Sequence, residues 1–353
     1  GDVVAIKDYA NTFDSNAVTL VQNGSDKIGG STINAILSTE GLAVTLVFVD
    51  ATQGWLVTDN GTQDTAPTAQ YVTATGGTIT CCGNYKIHTF TGPGTFCVSC
   101  AGNVCGSTLV DYLVVAGGAG SGDFNGGAGG AGGFRESSGA ASGCYTASPL
   151  GSGVSALPVP ATAYPITVGA GGIAGARPGN NNGGTGGVST FSTITSAGGG
   201  GGGGSSTGAF PGAAGGSGGG GGGPAGGAGG AGGAGNTPPV SPPQGFAGGA
   251  SPGAGGAGGG GATEVGGSYP SPTADGGDGG GTAINPAPSV GTPGPSGPLR
   301  YFAGGGAGTS SSGGAGGGGG AGGAGSTNTG GGGGNEAAAG GSGIVIIRYK
   351  FQN

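Results

Sequence analysis

Residues Gly343–Phe351 read GIVIIRYKF. Successive side chains of a strand point to opposite faces, so Ile344, Ile346 and Arg348 share one face and Val345, Ile347 and Tyr349 the other. A strand this apolar needs a partner. It arrives after the glycine-rich stretch 117–342, and the nearest matching run before that stretch is Tyr112–Val115, YLVV. Pairing of the two would make the stretch an insertion tied at both ends, with residues 343–353 returning to residues 109–116. The length of the insertion is no obstacle, because closure entropy grows only logarithmically with loop length.

The 353 residues include 103 glycines, about four times the usual share. Charged residues make up 7%, against about 25% in an ordinary soluble domain. A side-chain core can form only where Val, Ile, Leu, Phe and Tyr gather, which is in residues 1–116 and 344–351. Most of the net charge of −7 lies in residues 1–116, and no basic stripe is present. Nucleic-acid binding therefore lacks its electrostatic footprint. No run of about 18 apolar residues exists, so no membrane-spanning helix is expected. There is no signal peptide and no Met, and Gly1 is expected to be a processed terminus or a fragment start.

The expected fold is mainly β: an N-terminal β module, a second small β unit, and a glycine-rich lobe of polyglycine II type closed by a C-terminal strand. Residues 1–72 form the first module. Asn16–Gln22 is followed by Asn23-Gly24, a hairpin signal, with Lys27-Ile28 resuming the strand. Ile33–Ser38 could form one short helical turn. Ala43–Asp50 is the most apolar run, and its imperfect alternation allows both faces to be covered. Asp59-Asn60-Gly61 reads as a turn. Trp55, the single tryptophan, is the candidate assembly anchor. Asn23-Gly24-Ser25 and Asn60-Gly61-Thr62 match the glycosylation acceptor as well as turns, so Asn23 and Asn60 are candidate sugar sites given a suitable source.

Residues 67–78 read as a linker into the second unit, residues 73–116. Its strand candidates are Ile79–Cys82, Tyr85–Phe90, Gly94–Ser99 and Leu109–Val115. Five of the six cysteines, Cys81, Cys82, Cys97, Cys100 and Cys105, cluster here, and Cys144 follows. In an extracellular setting an even, clustered set reads as disulfides. Buried free thiols are the alternative. Cys97 and Cys100 resemble half of a zinc knuckle, but the second half is missing, and no metal or other cofactor is expected.

Residues 117–342 are glycine-rich almost throughout. Collagen is excluded, because the Gly-X-Y frame is absent. Ala225, Ala228, Ala231 and Ala234 recur every third residue, and Ala315, Ala321 and Ala324 keep the same spacing. A left-handed extended helix has three residues per turn. In that geometry the alanines line one edge, and the glycine edges let neighbouring helices approach and exchange main-chain hydrogen bonds. Disorder is the competing reading. Apolar islands such as Phe134, Tyr164–Val168, Phe191–Ile194 and Tyr301-Phe302 argue for order.

No catalytic constellation is expected. His88 is the only histidine and lies in a strand-like run. No carboxylate spacing singles out a glycosidase pair. No Gly-Lys-Ser/Thr phosphate loop is present. Asp59–Asp64 has oxygen ligands for calcium without the EF-hand pattern, and a solvated turn is the plainer reading.

Tyr85–Phe90 (YKIHTF), Tyr112–Gly118 (YLVVAGG), Gly126–Arg135 (GGAGGAGGFR), Tyr164–Gly172 (YPITVGAGG), Ser189-Thr190-Phe191, the Gly198–Gly204 run and Gly341–Tyr349 (GSGIVIIRY) follow one another in order. This series resembles the glycine-rich domain of bacteriophage tail fibres, tail-tip adhesins and related virion fibre proteins, over roughly residues 76–351. Ile6, Asp8, Asn23-Gly24, Ile28, Gly30 and Gly54-Trp55 are similar, more loosely, to short β modules of phage fibre proteins. The resemblance implies a non-enzymatic extracellular or virion-surface appendage that is often oligomeric. It also implies that loops between the helices set the receptor, and stretches 177–185, 236–246 and 284–302 are the candidates here. The six cysteines depart from that pattern and suit a disulfide-stapled filament. Two functions follow as expectations. One is a structural fibre or filament subunit that contacts copies of itself through residues 1–72. The other is an adhesin for a host receptor or glycan at a fibre tip.

Overall fold

Strand β18 (Ile344–Lys350) lies between β10 (Leu109–Val115) and β8 (Tyr85–Phe90), antiparallel to both, in the computed structural model of the chain. The structure describes all residues except 63–68, 144, 177–180, 206–209, 225–226, 271–272 and 353. It is mainly β, as expected, and divides into two units, Gly1–Ala69 and Gln70–Asn353.

In the second unit, β18 centres a sheet whose strands run in the order β11 (Phe134–Glu136), β10, β18, β8, β7 (Thr78–Cys82), with β12 (Leu157–Pro158) on the start of β10. A second sheet runs β15 (Ile194–Ser196), β14 (Ser189–Phe191), β13 (Ala163–Thr167), β9 (Gly94–Ala101), β6 (Val72–Thr75). The stretch read as a linker thus contains β6, because Val72 and Ala74 alternate into the core. Three strands of the second sheet and two of the first come from the glycine-rich stretch.

Alternation along β18 splits its side chains between two cores. Val345, Ile347 and Tyr349 join Val110, Tyr112, Val114, Phe96 and Phe191 in one cluster. Ile344 and Ile346 join Leu113, Val115, Phe134, Ile284 and Phe302 in the other. A strand buried on both faces must read as a continuous apolar run. Each such Ile contributes about 1.5–3 kcal/mol by leaving water.

The glycine-rich lobe is ordered by main-chain bonds with a threefold period. Gly117 and Gly120 donate to Gly187 and Gly184; Gly118 and Ser121 donate to Gly341 and Ala338; Ala119 and Gly122 donate to Gly130 and Gly127. Residues three apart therefore address the same neighbour, as a helix of three residues per turn requires. The segment Gly126–Gly133 sits at the centre of this network. It donates to three neighbours, at Ala197–Gly203, Ala257–Gly260 and Gly330–Gly333, and accepts from three others, including Ala119, Ser217 and Gly306. Some neighbours run parallel (Ala128 to Ala257, Ala131 to Gly260) and some antiparallel (Gly127 to Gly203, Gly130 to Gly200). None of the glycines in 117–122 or 126–133 has φ between +20° and +160°, the region a mirror-image threefold helix would need.

Close approach explains the glycines. A Cβ on Gly129 would stand 2.0 Å from the Ala119 carbonyl oxygen, and one on Gly132 would stand 2.0 Å from that of Ala116. The predicted alanine edge is present at the rim, where Ala228, Ala231 and Ala234 are exposed while Gly230 and Gly233 are buried. Ala225 lies outside the described residues.

In the first unit, β4 (Leu42–Asp50) pairs with β1 (Val3–Lys7) on one side and β5 (Gly54–Thr62) on the other. Strand β2 (Val18–Leu20) pairs with β3 (Ala35–Leu37). Three local expectations are corrected. Asn23–Asp26 does form a turn, but β2 pairs with β3 instead of with Lys27-Ile28. Ile33–Ser38 holds β3, not a helical turn. Asp59-Asn60-Gly61 continues β5, with the register shift absorbed at Thr45/Leu46. In each case pairing with a distant segment overrides the local turn signal. Asp8 staples the unit: its carboxylate accepts the backbone N–H groups of Thr12, Phe13 and Gly41, each at 3.0 Å.

Gly129→Val should lower the melting temperature of the lobe steeply, by several degrees or more, because steric exclusion of a helix neighbour costs upward of 2 kcal/mol. Ala231→Val, on the exposed edge, should leave it within about a degree. Differential scanning calorimetry of the two variants against the parent checks the contrast, and equal melting for both would contradict the packed bundle.

Candidate functional site

The sequence drew attention to cysteines, Trp55, His88 and loops; Trp55 belongs to the first unit and the others to the second. Cys81 and Cys82 lie on edge strand β7, Cys97 and Cys100 on β9 of the other sheet, and Cys105 in the loop that follows. All five are free thiols, and all but Cys100 are exposed. The expected staples are therefore absent among the described residues. The registers give the reason: Cys81 faces Lys86, Cys82 faces Tyr85, Cys97 faces Thr75 and Ala163, and Cys100 faces Thr73. No strand cysteine faces another. Cys144 lies outside the described residues. Among the described residues no group of three His, Cys, Asp or Glu side chains is arranged to hold a metal ion. Gln63 and Asp64 of the calcium candidate are outside them too.

His88 is fully buried in the sandwich. A carbonyl can only accept, so His88 Nδ1–H donates to Gly76 O at 2.7 Å and Nε2 accepts the Tyr349 hydroxyl at 3.0 Å. Burial holds the imidazole below its ordinary pKa, against the opposing bond to Gly76. Burial also pushes the Tyr349 phenol up to about 12.

Two of the candidate receptor loops are held by their own side chains. Asn236 Oδ1 accepts the N–H groups of Val240 and Gln244, and Gln244 Nε2 donates to Pro238 O at 2.8 Å. Arg300 donates to the carbonyls of Pro288, Val290 and Gly291 at 2.7–2.8 Å. Of stretch 177–185, residues 177–180 lie outside the described residues.

Trp55 is half-buried, and its ring meets Phe48 edge-on at 5.7 Å. With Val4, Ile6, Leu20, Ile28 and Leu46 it lines an open groove of about 500 Å³ in the first unit, to which Thr19, Gln22, Asn23 and Asp26 also contribute. Val44 and Leu46 are the only buried apolar core side chains of that unit among the described residues. Val3, Val21, Ile33, Ile36, Val49 and Val57 are more than half exposed. Asn23 is exposed in its turn, and Asn60 is exposed on β5.

A buried polar cluster was not anticipated. Asp111 on β10 faces Arg348 on β18 across the central sheet. Asp111 Oδ1 accepts Ser137 Oγ–H at 2.7 Å and Gly139 N–H at 3.2 Å, and its Oδ2 accepts Ser142 Oγ–H at 2.6 Å. Arg348 donates to the carbonyls of Ser142 and Ile284 and lies over the rings of Tyr85 and Tyr145, at 4.9 and 5.1 Å. Glu136 on β11 accepts Ser148 N–H at 2.8 Å and the Thr282 hydroxyl. The only signal in the sequence was a charge inside an apolar strand, Asp111 in LVDYLVV and Arg348 in IVIIRYK; Glu136, in FRE, carried none. The cluster binds the end of β11, the segment 137–148, the segment 282–285 and the closing strand into one junction.

The sequence pattern that defines a family of glycine-rich domains matches residues 89–350, which is most of the chain and nearly all of the second unit. The chain belongs to that glycine-rich domain family. No curated protein and no solved structure is similar enough to match it. Among the described residues no helix is long and apolar enough to cross a membrane.

Treatment of the native, undenatured protein with a maleimide should modify Cys81, Cys82, Cys97 and Cys105, read by peptide mass spectrometry. Recovery of these four as bridged peptides without reduction would contradict the free-thiol arrangement.

Proposed function

We propose that the protein is a non-enzymatic structural subunit of an extracellular fibre or filament, of the phage tail-fibre kind, which assembles with copies of itself through its first unit. The observation that carries this reading is the unfinished core of Gly1–Ala69. A unit of this size is marginal even with a well-formed core. Here only Val44 and Leu46 are buried among its described apolar core side chains, while β-branched side chains project from β1, β3, β4 and β5. Strands β1 and β5 end their sheet, and β1 carries no charge from Val3 to Ile6 that would repel another strand. A second copy of the same unit supplies the matching chemistry: an uncharged, β-branched strand to extend the sheet, and apolar side chains to fill the groove around Trp55. The second unit complements this role. A bundle held by main-chain bonds offers a stiff spacer with few reactive groups.

The alternative, an adhesin for a host receptor or glycan at a fibre tip, draws support from the loops fixed by Asn236, Gln244 and Arg300. Loops held in one conformation lose little entropy on binding.

Negative-stain microscopy of the full chain separates the two. The filament reading expects long polymers in the parent, lost in Val4→Asp and Ile36→Asp, whose exposed sites leave the second unit's melting unchanged. Discrete short particles from the parent would overturn it and leave the tip reading.

A further inference from the structure

Among the described residues no cation is hydrogen-bonded to the buried carboxylate of Glu136, whose partners are Ser148 and Thr282. Arg348, the guanidinium of the cluster, is engaged by the Ser142 and Ile284 carbonyls and by the rings of Tyr85 and Tyr145. Arg135 neighbours Glu136 on the same strand and so points to the opposite face of the sheet. Asp111, on the adjacent strand, is a second carboxylate and repels the first. Tyr145, from the segment after β11, adds a phenol whose ionisation is strongly opposed by burial and by the same two carboxylates. Two carboxylates therefore lie buried together, while the one guanidinium of the cluster donates to carbonyls. A buried charge without a partner is expensive, and the group takes up a proton instead.

Hydrogen bonds from Ser148 and Thr282 favour the ionised carboxylate, but burial outweighs them. Ser148 donates its N–H to Glu136 Oε2 at 2.8 Å. The other oxygen of Glu136 holds Thr282 on β16 (Gly280–Thr282), which pairs only with β17 (Arg300–Phe302). These two short strands carry the proline-bearing loop of residues 283–299.

We infer that Glu136 is a proton-operated latch, which holds the β16–β17 hairpin and its loop to the sandwich when protonated and loosens them when ionised. Burial raises the Glu136 pKa to about 7, so the switch lies in a range that surroundings reach. The sign follows from the direction. A group whose folded pKa stands above its unfolded value contributes stability below the unfolded value, and that stability is lost as pH rises through the folded one. His88 acts in the opposite sense, its stability being lost as pH falls. It lies in the other core, so the two effects are separable by position.

The test is hydrogen exchange of the full chain, read by mass spectrometry at about pH 5.5 and about pH 8.5 and corrected for the intrinsic rate. In the parent, protection of 280–286 and 300–302 should fall at least about tenfold at the higher pH, with Gly126–Gly133 unchanged. Glu136→Gln, which keeps an acceptor for Thr282 and cannot ionise, should hold that protection at both. Equal protection of the parent at both pH values would overturn the latch, as would the same fall in Glu136→Gln. Should Glu136→Gln fail to fold, Thr282→Val supplies the second arm: the lost hydroxyl favours the ionised carboxylate, so the midpoint of the fall should move to higher pH, and an unmoved midpoint overturns the assignment.

Discussion

Every buried main-chain N–H and C=O must find a partner, and in this protein that requirement organises most of the chain. In the lobe there are few side chains to bury. The threefold helix turns successive N–H groups toward three different neighbours, so each segment is bonded on several sides at once. Individually such bonds contribute about 0.5–1.5 kcal/mol. Collectively they oppose the large entropy that glycine loses on ordering. The arrangement tolerates parallel and antiparallel neighbours alike, since the bonds radiate around the helix instead of lying in one plane.

The bundle depends on its attachment to the sandwich. Strand β18 closes the stretch by pairing with β10, and Ala116 and Gly343, which follow β10 and precede β18, bond directly into the lobe, to Gly133 and Gly169. The outer face of the central sheet would be an exposed apolar surface without the lobe. Phe134, Ile284, Phe302 and Ala131 cover it. The side-chain core and the main-chain bundle thus share one boundary, and the buried cluster of Asp111, Glu136 and Arg348 lies along it.

Much of this was legible in the sequence. The run IVIIRYK announced a strand buried on both faces, and YLVV named its neighbour. Alanines three apart announced the helix period. What stayed hidden depended on long-range pairing. Val72–Thr75 looked like a linker because its partner β9 lies beyond two intervening strands. Ala35–Leu37 is too short to signal a strand without β2. The even count of cysteines suggested bridges, but a count carries no register, and the registers keep the strand thiols apart. Asp111 and Arg348 were visible as charges in apolar runs, yet their convergence with Glu136 is a property of the closed sheet. The groove around Trp55 needed β1, β2, β4 and β5 brought together, which no local pattern reports.

The central claim is that a stretch composed largely of glycine is ordered by lateral main-chain bonds. Amide hydrogen exchange across Gly126–Gly133 tests it most directly, because that segment is surrounded by helices and contributes only Ala131 to the side-chain clusters. The account predicts protection comparable to that of β10 and β18. Exchange at the rate of an unstructured chain, with β10 and β18 still protected, would contradict it.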